Sequence, residues 1–293
     1  MAVELVVVSG KGGTGKTSIA ASLVALASRE LKIAISDCDV DAANLHLLLN
    51  PKVKTEEKFS GSKVALIDLE KCTQCRLCEE NCRFNAIRDF KVDELACEGC
   101  GVCVEVCPNG AATLTNRDSG RIYVSETRYG PMVHARLNPG ESNSGKLVAH
   151  VRHRVRKLAE ADGSRLIVSD GPPGIGCPVI STLTGASFAL LVAEPTASGL
   201  HDLERILRLT RHFRGVKPLV AVNMWDVNPE VSEAIEAFCL REKVEVLGRI
   251  PFDRTAAEAA ANCMPLVEYA EDSPAAVELR KLWERLKAAL GNL

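Results

Sequence analysis

Short, uninterrupted apolar runs recur along this chain, separated by longer stretches whose apolar residues fall at helical spacing. The first run, Val3-Glu4-Leu5-Val6-Val7-Val8, is rich in β-branched residues. A glycine cluster follows at Gly10, Gly12, Gly13 and Gly15, and residues 17–28 then place Ile19, Leu23, Leu26 and Ala27 one helical turn apart. The pattern predicts strand, tight loop, helix. Further buried strands are predicted at 33–36, 166–169, 189–192, 219–222 and 246–250, with helices over 199–213 and 229–243 between them. Continuous apolar strands alternating with helices imply an α/β fold, a mostly parallel sheet with helices on both faces.

Residues 61–117 break this rhythm, with few apolar runs and eight cysteines. They are expected to form an inserted domain that splits the parent domain into 1–60 and 118–293. Possible strands at 121–126 and 132–137 would lead the chain back into the sheet. Amphipathic spacing of Leu279, Leu282, Trp283, Leu286 and Leu290 predicts a C-terminal helix over 275–293 that closes the core, with membrane contact as the alternative.

Composition narrows the class. The 293 residues are 46% hydrophobic and 25% charged, which excludes intrinsic disorder. No apolar stretch approaches the roughly 20 residues of a membrane span, and no basic segment precedes the first apolar run, so a cytoplasmic protein without a signal peptide is expected. A net charge of −2 gives no bulk attraction to nucleic acid. Twelve cysteines are many for such a chain. In a reducing compartment they point to metal ligation or catalysis before disulfides.

Two motifs carry chemistry. Gly10-Lys11-Gly12-Gly13-Thr14-Gly15-Lys16-Thr17 satisfies the G-x-x-x-x-G-K-T phosphate loop, between the strand and helix that it needs. Its backbone N–H groups, with Ser18 beside them, would cradle phosphates. Lys16 would meet the β- and γ-phosphates of ATP, and the Thr17 hydroxyl would ligate Mg²⁺. The second motif is a pair of cysteine runs, Cys72-x2-Cys75-x2-Cys78-x3-Cys82 and Cys97-x2-Cys100-x2-Cys103-x3-Cys107-Pro108. Paired Cys-x2-Cys motifs also bind zinc, but each run has a third cysteine at the same spacing. The four remaining cysteines, Cys38, Cys177, Cys239 and Cys263, form no such pair and are expected as structural thiols, Cys177 being the candidate for more.

With Lys11 the loop reads K-G-G-T-G-K-T, and it resembles the deviant Walker A ATPases, the family of MinD, ParA and the nitrogenase iron protein. The resemblance implies that Lys11 reaches across a nucleotide-sandwiched homodimer or heterodimer and neutralises transition-state charge, making Lys11 and Lys16 catalytic. By the same resemblance Asp37-Cys38-Asp39-Val40-Asp41 is the first switch, with Asp39 orienting the attacking water and Asp37 near Mg²⁺. Asp41 competes for either role. Asp170-Gly171-Pro172-Pro173-Gly174 resembles a Walker B and second switch, Asp170 acting on Mg²⁺ through water. Asn223 with Pro251, Phe252 and Asp253 resembles the family's adenine pocket.

The cysteine runs are similar to those of bacterial two-cluster ferredoxins, in which the fourth cysteine of each run serves the other cluster. That implies two [4Fe–4S] clusters, one on Cys72, Cys75, Cys78 and Cys107 and the other on Cys82, Cys97, Cys100 and Cys103. Arg83 replaces the proline expected after Cys82. The combination suggests an Mg-dependent ATPase whose cycle is coupled to electron transfer toward a redox protein partner. A cluster carrier and a redox-sensing positioning ATPase are the alternatives. The polar loop 138–146 and the basic helix face of Arg152, Arg154, Arg156 and Lys157 are expected to be solvated.

Overall fold

The computed structural model describes residues 2–141 and 144–291, without the side chain of Ser144. Ser142 and Asn143 of the polar loop, and the last two residues of the C-terminal amphipathic segment, lie outside the described residues. In chain order the elements are β1 (Val3–Ser9), α1 (Lys16–Ala27), β2 (Ile33–Asp37), α2 (Leu45–Leu49), β3 (Lys52–Phe59), β4 (Lys63–Ile67), α3 (Leu77–Glu80), β5 (Ile87–Arg88), β6 (Lys91–Val92), α4 (Val102–Glu105) and β7 (Ala112–Asn116). Then come β8 (Gly120–Thr127), β9 (Gly130–Leu137), α5 (Ser144–Asp162), β10 (Leu166–Pro173), α6 (Cys177–Leu183), β11 (Phe188–Ala193), α7 (Ala197–Arg211), β12 (Lys217–Asn223), α8 (Pro229–Arg241), β13 (Glu245–Ile250), α9 (Thr255–Ala261), α10 (Leu266–Tyr269) and α11 (Pro274–Leu290).

The chain divides into two compact units. One comprises Met1–Glu56, Ile122–Arg136 and Ser144–Leu293, the other Glu57–Arg121 and Leu137–Asn143. The main sheet runs β13-β12-β11-β1-β10-β2-β9-β8-β3. Every pairing from β13 across to β9 is parallel, as uninterrupted apolar strands require.

Strand alternation sends successive β1 side chains to opposite faces, and two cores result. Leu5 and Val7 pack with α1, α10 and α11; Val6 and Val8 pack with α6, α7 and α8. Helix α1 is buried nearly all round, every residue from Ile19 to Ala27 being shielded, because α10 and α11 cover its outer side. In α11, Leu279, Leu282, Trp283 and Leu286 lie in that core, and the Trp283 indole donates to Glu30 Oε1 at 3.0 Å. The amphipathic stripe therefore packs inward. No helix among the described residues is long and apolar enough to cross a membrane.

A buried ion-pair group fixes the start of β1. Glu4, 3% exposed, accepts from Arg152 Nε at 2.8 Å and from Arg156 Nη2 at 2.7 Å. Arg152 also donates to the Ser181 and Thr184 carbonyls at the end of α6. Two of the four residues expected on a solvated basic face are thus held by one carboxylate. Arg152 is itself buried, since a charge at that depth needs a partner.

The second unit is small. Strand β4 pairs antiparallel with β7, and β5 with β6. Its backbone repeats itself after 25 residues. Gln74 and Gly99, Arg76 and Gly101, and Asn85 and Gly110 all take positive φ, at equivalent places in the two cysteine runs. Only glycine adopts this conformation without strain. Gly99 adds a second reason, since a Cβ there would lie 2.2 Å from the Lys63 carbonyl oxygen.

Candidate nucleotide site and cysteine-lined cavities

The phosphate loop leaves the C-terminal end of β1 and runs directly into α1. Gly13 (φ 84°) and Gly15 (φ 82°) are left-handed, the form that lets successive N–H groups face one concavity. A Cβ on Gly12 or Gly13 would meet nothing within 4 Å, so the loop borders open space there. Gly10 instead packs on α7, where a Cβ would lie 2.4 Å from that of Asp202. The N-terminus of α1 has no side-chain cap, which leaves its first N–H groups for an anion.

Three carboxylates surround Lys16, whose Nζ hydrogen-bonds Asp170 Oδ1 at 2.7 Å and lies 3.7 Å from Asp39 Oδ2. Asp37 and Asp170 are neighbours because β2 and β10 pair in register through them. Burial alone would lower the Lys16 pKa, but Asp170, Asp39 and Asp37 together raise it. Burial, and then repulsion from Asp170, pushes the Asp37 carboxyl well above its ordinary value; burial likewise raises Asp39. Both Asp37 oxygens accept backbone N–H groups, from Asp39 and Leu45, each at 3.1 Å. Asp37 thus shapes the segment carrying Asp39 and starts α2. Asp41 is exposed. At this site two buried polar atoms, Asp170 Oδ2 and Thr14 Oγ1, lack a hydrogen-bond partner among the described residues. A carboxylate oxygen and a hydroxyl left over in a loop lined with N–H donors suit a cation and an anion bound together, so these residues fit a magnesium–nucleotide complex.

Other expected site residues are placed as follows. Asn223, at the end of β12, donates to the Thr14 carbonyl at 2.8 Å and so braces the loop. Phe252 is half exposed, with its N–H on Asp226 Oδ1 at 2.6 Å. Asp253 accepts from Thr255 N and Oγ1 and from Ala275 N, fastening the starts of α9 and α11. Sequence reading missed Glu194, Thr196 and Ser198. Lys11 Nζ meets all three, at 2.5, 3.2 and 2.9 Å. Acidic and hydroxyl residues just past a buried strand were the available signal.

In the second unit the cysteines gather around two cavities. The void within and at the mouth of one measures about 340 Å³, and Cys82, Cys97, Cys100 and Cys103 line it. The other measures about 330 Å³ and is lined by Cys72, Cys75, Cys78 and Cys107. The sulfurs of Cys82 and Cys107 accept from Ala86 and Ala111 N–H at 3.4 and 3.2 Å, equivalent bonds in the two repeats. Backbone N–H groups, foremost that of Ala112, hold the Cys107 thiol below its ordinary pKa. Among the described residues, no group of three or more His, Cys, Asp or Glu side chains is gathered tightly enough to chelate a single ion. Of the remaining cysteines, Cys38 and Cys239 are buried, with burial pushing their thiols up to about 12 and about 11; Cys177 and Cys263 are exposed.

Known proteins can be set beside this geometry. An uncharacterised protein of Methanocaldococcus jannaschii is 34% identical over 285 residues, 97% of this chain and 96% of its own length. An iron-sulfur cluster carrier protein of Pyrococcus horikoshii is 24% identical, covering 97% of this chain and 85% of its own. Among solved structures, the septum site-determining protein MinD complexed with Mg-ADP, from Pyrococcus horikoshii, superposes with a TM-score of 0.63 at 22% identity, covering 99% and 98% of the two chains. The model of the CobQ/CobB/MinD/ParA nucleotide binding domain matches residues 5–266, and the chain belongs to that family of P-loop ATP-binding proteins.

Proposed function

We propose that the protein is an Mg-dependent ATPase that binds two [4Fe–4S] clusters and couples an ATP-driven pairing of two chains to electron transfer. Support for the clusters comes chiefly from the two cavities, each lined by four cysteines drawn three from one run and one from the other. Zinc would need its thiolates about 2.3 Å from one centre, and no group among the described residues is gathered so closely. A four-iron cube is a larger body and spreads its thiolates further. The sulfur-directed N–H groups of Ala86 and Ala111 suit thiolates in such a site. Bound there, the clusters would supply a pair of one-electron carriers.

At the nucleotide site the loop N–H groups and Lys16 bind the β- and γ-phosphates, and Thr17 and Asp170 hold Mg²⁺, with Asp37 close behind. Lys16 exchanges Asp170 for phosphate when ATP enters. Asp39, 13% exposed at the side chain, orients the attacking water. Asn223 fixes the loop from behind and, with residues 251–253, borders the base. Lys11 serves the partner chain's phosphates. The chemistry is positioning and charge neutralisation.

The test uses anaerobically purified protein. Iron and sulfide content, ATPase rate and cluster reduction potential are measured with and without Mg-ATP. Coupling predicts full iron and sulfide for two cubes, and a potential or partner-reduction rate that responds to Mg-ATP but not to Mg-ADP. Iron and sulfide far below that content would overturn the cluster assignment. A second reading, an ATP-dependent cluster carrier, is favoured by the similarity to the Pyrococcus carrier protein. It would prevail if the potential ignored ATP and the clusters passed intact to an apo-acceptor.

A further inference from the structure

A large cavity lies in the unit that holds the nucleotide site, and none of the residues lining it belongs to the phosphate loop. It measures about 950 Å³, within the usual range of small-molecule sites. Helix α2 and the start of β3 form one wall, the β8–β9 turn another, and the loop between α9 and α10 a third. His134, 7% exposed, stacks with both Tyr123 and His46, the ring centroids 5.0 and 5.4 Å apart. Both imidazoles are uncharged at neutral pH. Burial, then His46, holds His134 down to about 4, and burial, then Arg136, lowers His46. Ser125 Oγ meets His134 Nε2 at 3.1 Å, but His46 Nδ1 is buried without a partner among the described residues. A half-turn of that ring keeps the stack and carries the nitrogen to the opposite edge, free to meet a ligand. Leu47 and Val53 add apolar surface, each about half exposed. Lys52 and Arg128 also stand in the wall, against one lining carboxylate, Glu126, which already lies 4.0 Å from Lys54. Among the described residues no three His, Cys, Asp or Glu side chains converge as a metal ion would require, so the cavity suits an organic anion.

We propose that this cavity binds a flat heteroaromatic anion, its ring against the stacked histidines and its negative group at Lys52, and that occupancy is linked to the nucleotide through α2. The Leu45 N–H, at the start of α2, bonds Asp37 Oδ2 at 3.1 Å, and His46 is the next residue. A change in what Asp37 faces therefore moves the helix that carries one wall of the cavity. The link, though not the cavity itself, rests on the reading above, in which Asp37 stands close to Mg²⁺. By thermodynamic reciprocity, a ligand favoured in one nucleotide state favours that state in return.

The experiment is equilibrium dialysis of the full-length, cluster-loaded protein against flavin mononucleotide, with saturating Mg-ADP present so that the phosphate loop is occupied. Riboflavin, the same ring without the phosphate, is the uncharged control. Flavin mononucleotide should be retained, and riboflavin bound about fivefold more weakly, the usual reach of one exposed ion pair. Lys52→Gln should abolish that difference. His46→Ala should weaken both ligands about tenfold through the lost ring contact, with Mg-ADP affinity unchanged. Lys52→Gln, on the exposed start of β3, keeps the test open if His46→Ala fails to fold. No retention by wild type, or retention that neither variant alters, would overturn the site. Replacing Mg-ADP with a non-hydrolysable Mg-ATP analogue should change the affinity for flavin mononucleotide at least about fivefold. Equal affinities in the two states would overturn the link alone, whereas a protein that binds no Mg-ATP analogue would overturn the nucleotide reading beneath it.

Discussion

Replacing Asp37 with asparagine should make the nucleotide-free protein more stable at neutral pH. Asp37 is wholly buried and shares one ammonium, that of Lys16, with Asp39 and Asp170; the ammonium hydrogen-bonds Asp170, not Asp37. Burial and then repulsion from Asp170 raise its pKa well above the ordinary 3.8. A carboxyl whose pKa is raised by folding costs nothing below the unfolded value and lowers stability as pH climbs through the interval above it. At pH 7 that cost is capped at about 4 kcal/mol, the free-energy equivalent of the interval from 3.8 to the assay pH. Asparagine escapes it. The amide has only one oxygen, however, so it can satisfy just one of the N–H groups of Asp39 and Leu45. The other then faces an NH₂ at a cost of about 1–2 kcal/mol.

The net expectation is a gain at pH 7 of at most about 3 kcal/mol, which shrinks and reverses towards pH 4. Urea unfolding with chelator present measures it, followed by the fluorescence of Trp225 and Trp283, both in the unit that holds the site. Mg-ATP should add less stability to the variant than to wild type. A variant less stable than wild type at pH 7, or one whose gain persists undiminished at pH 4, would refute the reasoning.

Three further predictions use other regions. Cys107→Ser should lower the iron bound with Cys72, Cys75 and Cys78 while sparing that of Cys97, Cys100 and Cys103; electron paramagnetic resonance of the reduced protein separates the two, and the opposite pattern would reject the crossed ligand sets. Glu4→Gln should cost about 3–5 kcal/mol in urea unfolding, because buried Arg152 keeps its charge and loses its carboxylate. Arg156, 43% exposed at the side chain, can turn to water, so Arg156→Gln should cost under about 1 kcal/mol.

What the sequence disclosed depends on how local each cause is. Strand β1, the loop and α1 follow from one contiguous stretch in which apolar run, glycines and helical spacing agree. The parallel sheet was legible for the same reason, since each strand buried on both faces is written as an unbroken apolar run. Strand β3 was not, because its KVKTEEKF sequence is almost wholly exposed on the sheet's edge and has no apolar run to betray it. The cysteine spacing disclosed two equivalent turns. That Gln74, Arg76 and Asn85 would take the positive φ that glycine takes 25 residues later is a tertiary outcome, invisible in their identities.

Distance in sequence sets the other limit. Glu194 lies beyond any local window around Lys11, and only the β1–β11 pairing brings their turns together. The three aspartates were each found from a strand end, yet their shared burial around one lysine belongs to the register of β2, β1 and β10. That register explains why the nucleotide site carries more negative charge than its own cation can answer. Lys16 neutralises one carboxylate, Asp170 Oδ2 is left without a donor, and Asp37 and Asp39 hold their protons more tightly than usual. A divalent cation arriving with phosphate would relieve all three at once. The same excess that weakens the empty fold is thus what would make the loaded site selective for a nucleotide bound together with its metal.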